Sequence, residues 1–233
     1  MNSPTEPRTR RERVEAREEA IIAAAQQVFG DHGFDGARIT DIARLAEVAE
    51  GTIYLYFKNK EALLHAVVGA FYQRLTASAQ EGVQGLAGTR RQLEFLARHH
   101  MISCLTEWHI IEMTVGRYRQ LSEYESSGYL QFNKTYVAVF DNVLREGMNR
   151  GEIRKDIPIW NIRDLFYGSL DYSCRTYMLR GHAPDDLVEI ARNVQRLMNM
   201  VWQGIARPGE EGSDHADLES ITRRLEAAVA RLE

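Results

Sequence analysis

The stretch AEGTIYLYFKNK, Ala49 to Lys60, gathers hydroxyl and ammonium groups at helical spacing. Ile53 and Phe57 stand four apart and can bury one stripe of a short helix. Thr52, Tyr54 and Tyr56 then fall around the rest of the circumference. A phenol there can hydrogen-bond a phosphate oxygen or a base edge while its ring packs on a sugar or a thymine methyl. Gly51 has no side chain, so the helix start can approach a groove closely. Lys60 falls in the first turn of the next helix, where a cation opposes the helix dipole. An anion docked there would reverse that cost, because the helix N–H groups and the ammonium would point at one phosphate. Thr40, read as the N-cap of the preceding short helix, offers a second such position. Taken singly, Tyr54 or Tyr56 packs on a neighbouring helix about as often as it binds something. The whole group in this order favours an outward, duplex-facing surface.

Other chemistry finds less support. The sequence has no nucleophile elbow, no dinucleotide fingerprint and no paired carboxylates at an identifiable cleft. Gly30, Gly33 and Gly36 lack a preceding strand pattern and the Gly-Lys-Ser/Thr ending of a phosphate loop, so they read as cap and turn. His99 and His100 are adjacent and point to different faces, a poor pair of metal ligands. Cys104 and Cys174 lie far apart without metal-type spacing and read as reduced thiols. No metal and no cofactor is expected. No apolar run reaches the roughly 18 residues of a membrane span, and the N-terminus is too charged for a signal peptide. Together these predict a cytoplasmic protein with no membrane partner. A helical protein–protein adaptor and a motif-poor helical enzyme are the rival classes.

The elements that must position the outward group read as all-α. A helix over 14–32 buries Ala20, Ile21, Ala24, Ala25, Val28 and Phe29, with Gly33 as a left-handed end. A short helix over 41–46 follows, its inner face Ile42, Leu45 and Ala46. After a break at Glu47-Val48-Ala49 comes the tyrosine-bearing helix. A long helix then starts behind Asn59 as N-cap, with Leu63, Leu64, Val67, Val68, Phe71 and Leu75 as its stripe, ending near Gly82 or Gly85. Helix, short helix, tight turn, short helix and long helix make a supported helix-turn-helix. The net charge of −4 gives no global attraction to nucleic acid, so any attraction is local. RTRRER, Arg8 to Arg13, reads first as a disordered, solvated arm and alternatively as one that finds phosphates or a groove.

TDIARLAEVAEGTIYLYFKNKEALL resembles the helix-turn-helix of the TetR family of transcriptional regulators. The likeness spans roughly residues 17–75. It implies that Thr40, Tyr56 and Lys60 contact phosphates and that Gly51, Thr52 and Tyr54 lie nearest the base edges. Glu47 stands where the family usually has glycine; a left-handed conformation there would cost roughly 1–2 kcal/mol. Glu50 puts a negative charge at the start of the reading helix, where it can accept a hydrogen bond from a cytosine amino group or weaken non-specific binding.

Downstream, helices are expected over 89–105, 107–121, 124–150, 158–179 and 184–205. Gly151 and Gly181 serve as end caps, and Pro158 and Pro184 as helix starts. VLREGMNRGEIRKDIP resembles the family's joint before its last core helix. Leu187, Ala191, Val194, Met198 and Val201 step by three and four, a coiled-coil-like seam. Ser169 and Ser173, with Gly168, permit close approach on the preceding helix. Internal core is the plain reading of this seam; the resemblance implies a homodimer interface on these two helices. Such a dimer would present two reading helices to a near-palindromic double-stranded operator. Phe71, Trp108, Met113, Phe132, Tyr136, Tyr172 and Arg175 could line a pocket, though most such residues are ordinary core. By resemblance that pocket takes a small lipophilic effector, acyl-CoA or fatty acid first and a lipophilic drug second, which releases a repressor from its operator. The resulting organisation is an arm (1–13), a DNA-binding domain (14–60), a ligand-binding and dimerisation domain (61–207), a linker (208–216) and an extra helix (217–233).

Overall fold

The computed structural model describes residues 9–115, 128–183 and 185–207. The expected linker and extra helix, the first eight residues of the arm, the ends of two expected helices between 116 and 127, and Pro184 lie outside the described residues. Two compact units divide the chain, one of residues 1–70 with 109–124, the other of 71–108 with 125–233.

In the first unit, α1 (Arg10–Gly36) opens on a capping box. The Glu12 amide donates to Thr9 Oγ1 at 3.2 Å and the Thr9 amide to Glu12 Oε2 at 2.6 Å. The arm expected to be disordered through residue 13 is therefore helical from Arg10, because Thr9 and Glu12 satisfy the first orphan amides. Gly33 leaves the helix at φ 66, ψ 173, a conformation that glycine takes without strain. The chain thereby returns Phe34 onto Phe29, ring centroids 5.7 Å apart. α2 (Ile39–Leu45) starts earlier than expected. The amides of Asp41 and Ile42 bond the Arg38 carbonyl at 3.1 and 3.3 Å, so Arg38 is the N-cap and Thr40 the second helical residue. Ile42 and Ala43 are buried, whereas Leu45, expected inside, is 44% exposed at the helix's last position.

The turn after α2 closes as a Schellman motif, with Val48 N–H bonding Ala43 O at 2.9 Å and Glu47 N–H bonding Arg44 O at 3.3 Å. Glu47 takes the left-handed position at φ 54, the one non-glycine residue with positive φ among the described residues. α3 (Glu50–Tyr56) is only seven residues long. Asn59 Oδ1 then accepts from the Ala62 amide at 2.8 Å and caps α4 (Lys60–Val83). The α4 stripe from Leu63 to Leu75 is buried as its spacing predicts. α6 (Trp108–Val115) brings His109 against Gly30 of α1, where an added Cβ would lie 3.2 Å from the imidazole.

In the second unit, α5 (Thr89–Thr106) lies against α7 (Tyr129–Arg150), α8 (Ile159–Leu179) and α9 (Leu187–Ile205). Every residue from Leu93 to Leu105 is buried. Two glycines allow close crossings. A Cβ on Gly82 would stand 1.8 Å from Phe95 Cζ, and one on Gly147 2.3 Å from Thr89 Oγ1. Gly151 and Gly181 cap α7 and α8 at φ 82 and 71. After Gly151 the chain forms an isolated antiparallel bridge, Ile153 with Ala206, which ties the joint to the end of α9. No described helix is long and apolar enough to cross a membrane.

The expected partner-facing seam is internal. Val194, Met198 and Val201 are 0%, 1% and 5% exposed in the single chain, because α9 packs that face on α5. Ala191 is half-buried and Leu187 exposed. The exposed apolar row lies on α8 instead, where Leu165, Tyr172 and Leu179 recur every seven residues. Ser169 and Ser173 are half-buried beside it, and the Ser169 hydroxyl bonds its own helix at Phe166 O, 2.9 Å.

Candidate nucleic-acid surface and polar core

α3 is held by two anchors, Ile53 at 1% and Phe57 at 5% exposure, each contributing about 1.5–3 kcal/mol of burial. Its other sides are open. Glu50 and Gly51 are exposed, Thr52 is half-buried and Tyr54 is 54% exposed. Tyr56 is half-buried, its ring tilted against Phe57 at 6.3 Å. Thr40 is exposed on α2. The phenols are therefore not consumed by the protein's own interior.

Leu55 was missed by the reading from residue types, yet it is 84% exposed. Gly51, Tyr54 and Leu55 share the outer face of α3 at i, i+3 and i+4, all exposed, and Lys58 is exposed just past the helix end. That spacing was the available signal. An exposed leucine on this face can cover a thymine methyl.

Lys60 differs from a free phosphate-binding cation. Its Nζ donates to Ala37 O at 3.1 Å and Asp35 O at 3.4 Å, and lies 4.5 Å from the centre of the Phe34 ring. The ammonium thus ties the start of α4 to the end of α1, which explains a cation at a helix N-terminus without an anion.

The second unit holds an aromatic and polar cluster around α5. Tyr72 links three of the expected pocket residues, with Phe71 edge-on at 5.4 Å, Phe132 stacked at 6.2 Å and Tyr136 edge-on at 6.4 Å. Trp108 is half-buried in the same unit, and Met113, also half-buried, belongs to the other. Two residues leave the set: Tyr172 is 72% exposed and Arg175 is exposed, both on the outward side of α8. Asp171, four residues before Arg175, accepts from His100 Nε2 at 2.9 Å.

Burying a polar helix has electrostatic consequences. His99 Nε2 meets Ser78 Oγ at 2.7 Å, and Ser78 in turn reaches the Arg74 carbonyl at 2.9 Å. Burial, reinforced by His100, lowers the His99 pKa to about 3, so this ring is neutral. His100 Nδ1 lies 3.2 Å from Tyr136 Oη and Nε2 lies 3.5 Å from Cys104 Sγ. The Cys104 thiol is pushed well up by hydrogen bonding with Cys174 and by burial, and burial with Tyr167 alongside pushes the Tyr136 phenol up. His100, Cys104 and Asp171 offer donor atoms within 4.8 Å of one another. Sequence spacing hid this group because Asp171 is 71 residues from His100. The four-residue step from His100 to Cys104 on one helix was the visible part.

Residues 21–67 match the family described as bacterial regulatory proteins, tetR family, and residues 68–201 match the C-terminal region of YsiA-like proteins. The fatty acid metabolism regulator protein of Bacillus subtilis is 28% identical over 182 residues, which are 76% of this chain and 91% of that one. The crystal structure of the Bacillus subtilis regulator FadR in complex with stearoyl-CoA superposes with a TM-score of 0.67 at 26% identity, over 77% of this chain and 96% of that one. The FadR fatty acid degradation regulator of Bacillus halodurans shares the fold, with a TM-score of 0.68 at 24% identity, over 80% and 98% of the two chains.

Proposed function

The chain belongs to the tetR family of bacterial regulatory proteins, and on that premise we propose a homodimeric repressor released from a near-palindromic operator by a long-chain acyl-CoA. It is a ligand-responsive, DNA-binding transcriptional regulator. The exposed face of α3 carries the DNA-binding part of the reading: Gly51, Tyr54 and Leu55 stand outside, with Lys58 exposed just past the helix end, while Ile53 and Phe57 hold the helix. Gly51, Thr52, Tyr54 and Leu55 meet base edges. Thr40 and Tyr56 meet phosphates, and Glu50 selects for a cytosine amino group. Lys60 serves mainly to fix the start of α4.

The effector class rests on the likeness to a regulator whose structure contains stearoyl-CoA, together with the aromatic interior around Phe71, Tyr72, Phe132 and Tyr136. Ligand and operator favour different arrangements of one protein, so each weakens the other by the same factor. A coupling of about 1–3 kcal/mol is usual for such a pair.

Selection of bound fragments from random duplex DNA, repeated with stearoyl-CoA present, tests both parts. A two-fold sequence with half-sites roughly 34 Å apart should be enriched, and its occupancy should drop when the acyl-CoA is added. Failure to enrich any sequence would refute the regulator reading. An enriched site indifferent to stearoyl-CoA would refute only the effector.

A further inference from the structure

We propose that His100, Cys104 and Asp171 form a binding site for a borderline-soft divalent cation, with zinc as the expected occupant. The site is built from two helices. His100 and Cys104, four apart on α5, present imidazole and thiol on one face, and Asp171 brings a carboxylate from α8. The mixture of nitrogen, sulfur and oxygen suits zinc or cobalt and not magnesium or calcium, which take oxygen.

The distances lie close to those a tetrahedral ion imposes. Zinc bond lengths set about 3.5 Å between a nitrogen and a sulfur ligand, and about 3.3 Å between a nitrogen and an oxygen. Nε2 and Cys104 Sγ are 3.5 Å apart, and Nε2 and Asp171 Oδ1 are 2.9 Å apart. The three donors all fall within 4.8 Å, so modest opening on the carboxylate side admits the ion. Asp171 is the member free to move: its side chain is 64% exposed while that of His100 is 8% exposed. It also marks the entry path from solvent.

An orienting group is already in place. Tyr136 Oη stands 3.2 Å from His100 Nδ1, and the two rings stack at 5.9 Å. With the proton on Nε2, the metal-free ring donates to Asp171 and accepts from the phenol. To bind a cation, Nε2 must offer its lone pair, so the proton moves to Nδ1 and Tyr136 turns from donor to acceptor. A hydroxyl can do either. Such outer hydrogen bonds fix ring orientation in metal sites. The Cys104 thiol loses its proton to solvent as the metal–sulfur bond forms.

The test is titration of the reduced, metal-stripped full chain with cobalt chloride, followed by zinc competition. One equivalent of cobalt should produce visible bands of a four-coordinate ion and a near-ultraviolet thiolate charge-transfer band, both abolished by zinc. Cys104→Ser should remove the charge-transfer band. Asp171→Asn, at an exposed position that leaves folding intact, should weaken cobalt binding at least about tenfold, since even loss of an outer-shell partner costs that much. A wild-type chain without the thiolate band, or unchanged affinity in Asp171→Asn, would overturn the assignment. Neither readout involves DNA or acyl-CoA, so the outcome is separate from that of the regulator reading.

Discussion

Tyr54 and Lys60 look alike from residue type, as polar groups near a reading helix, but their surroundings separate them. Tyr54 is exposed, so Tyr54→Phe should change which operator bases are preferred while leaving thermal stability unchanged. Lys60 is spent on the Ala37 and Asp35 carbonyls and the Phe34 ring. Lys60→Ala should therefore weaken all DNA sequences about equally and also lower stability by about 1–2 kcal/mol, the cost of lost charge-assisted hydrogen bonds. A denaturation midpoint unaltered in Lys60→Ala would restore it to a purely phosphate-binding role. Glu47 makes the opposite case. Its φ of 54 is strained for any residue with a side chain, and it is exposed. Glu47→Gly should stabilise the protein by about 1 kcal/mol, read as a higher urea midpoint with an unchanged m-value. The glycine habit of the family flagged this position; the sequence did not tell whether the turn would relax or the strain be kept.

At the scale of elements, periodicity located the helices because each buried row recurs at its own spacing, as Leu63 to Leu75 on α4 illustrates. It did not identify what each row packs against. The α9 seam was visible from Leu187 to Val201, but whether α5 or a second chain covers it depends on long-range packing that no local spacing encodes. Start positions slipped for a related reason. Thr40 has the chemistry of an N-cap, yet the Arg38 carbonyl already begins the α2 ladder. Close crossings were invisible in the same way. Gly147 reads as one more small residue, but an added Cβ there would strike Thr89 and Ile153. Gly147→Ala should destabilise the fold by about 1–3 kcal/mol despite alanine's better helix propensity, measurable by urea denaturation. The buried polarity of α5 gives a pH signature. The folded His99 pKa is about 3 against an ordinary value near 6.5, so between these values the unfolded chain binds more protons. This contribution to stability is complete above about pH 6.5 and drains away as pH falls toward 3, at up to about 1.4 kcal/mol per pH unit. His99→Asn should remove that slope; equal slopes in variant and wild type would mean that the ring is protonated in the folded state.

For the whole molecule, two-fold operator recognition requires a face that one chain leaves open and a second can cover. The α9 row that the resemblance assigns to the interface fails this requirement and is internal core as its spacing alone suggests, since Val194, Met198 and Val201 are already covered by their own chain. Leu165, Tyr172 and Leu179 on α8 meet it, with exposures of 54%, 72% and 82%, and α9 carries exposed Leu187, Val188 and Met200. The helices are the pair that the family resemblance designates for dimerisation; Leu187 belongs to both sets of residues, whereas Val194, Met198 and Val201 are covered by their own chain. Gly168 falls between Leu165 and Tyr172 on the same side with open space around it, which suits close approach of a second helix. Because these side chains contribute little to the isolated fold, charges placed on them separate assembly from stability. Leu165→Glu combined with Tyr172→Glu should leave the far-ultraviolet spectrum intact and raise the dimer dissociation constant by at least roughly a hundredfold, about 2.8 kcal/mol. Sedimentation would read this directly. A monomer presents one α3 to one major groove, so affinity for the full operator should fall toward that for a half-site, and the salt dependence should flatten as phosphate contacts halve. Sedimentation of the double variant as an unperturbed dimer would place the interface elsewhere on the chain.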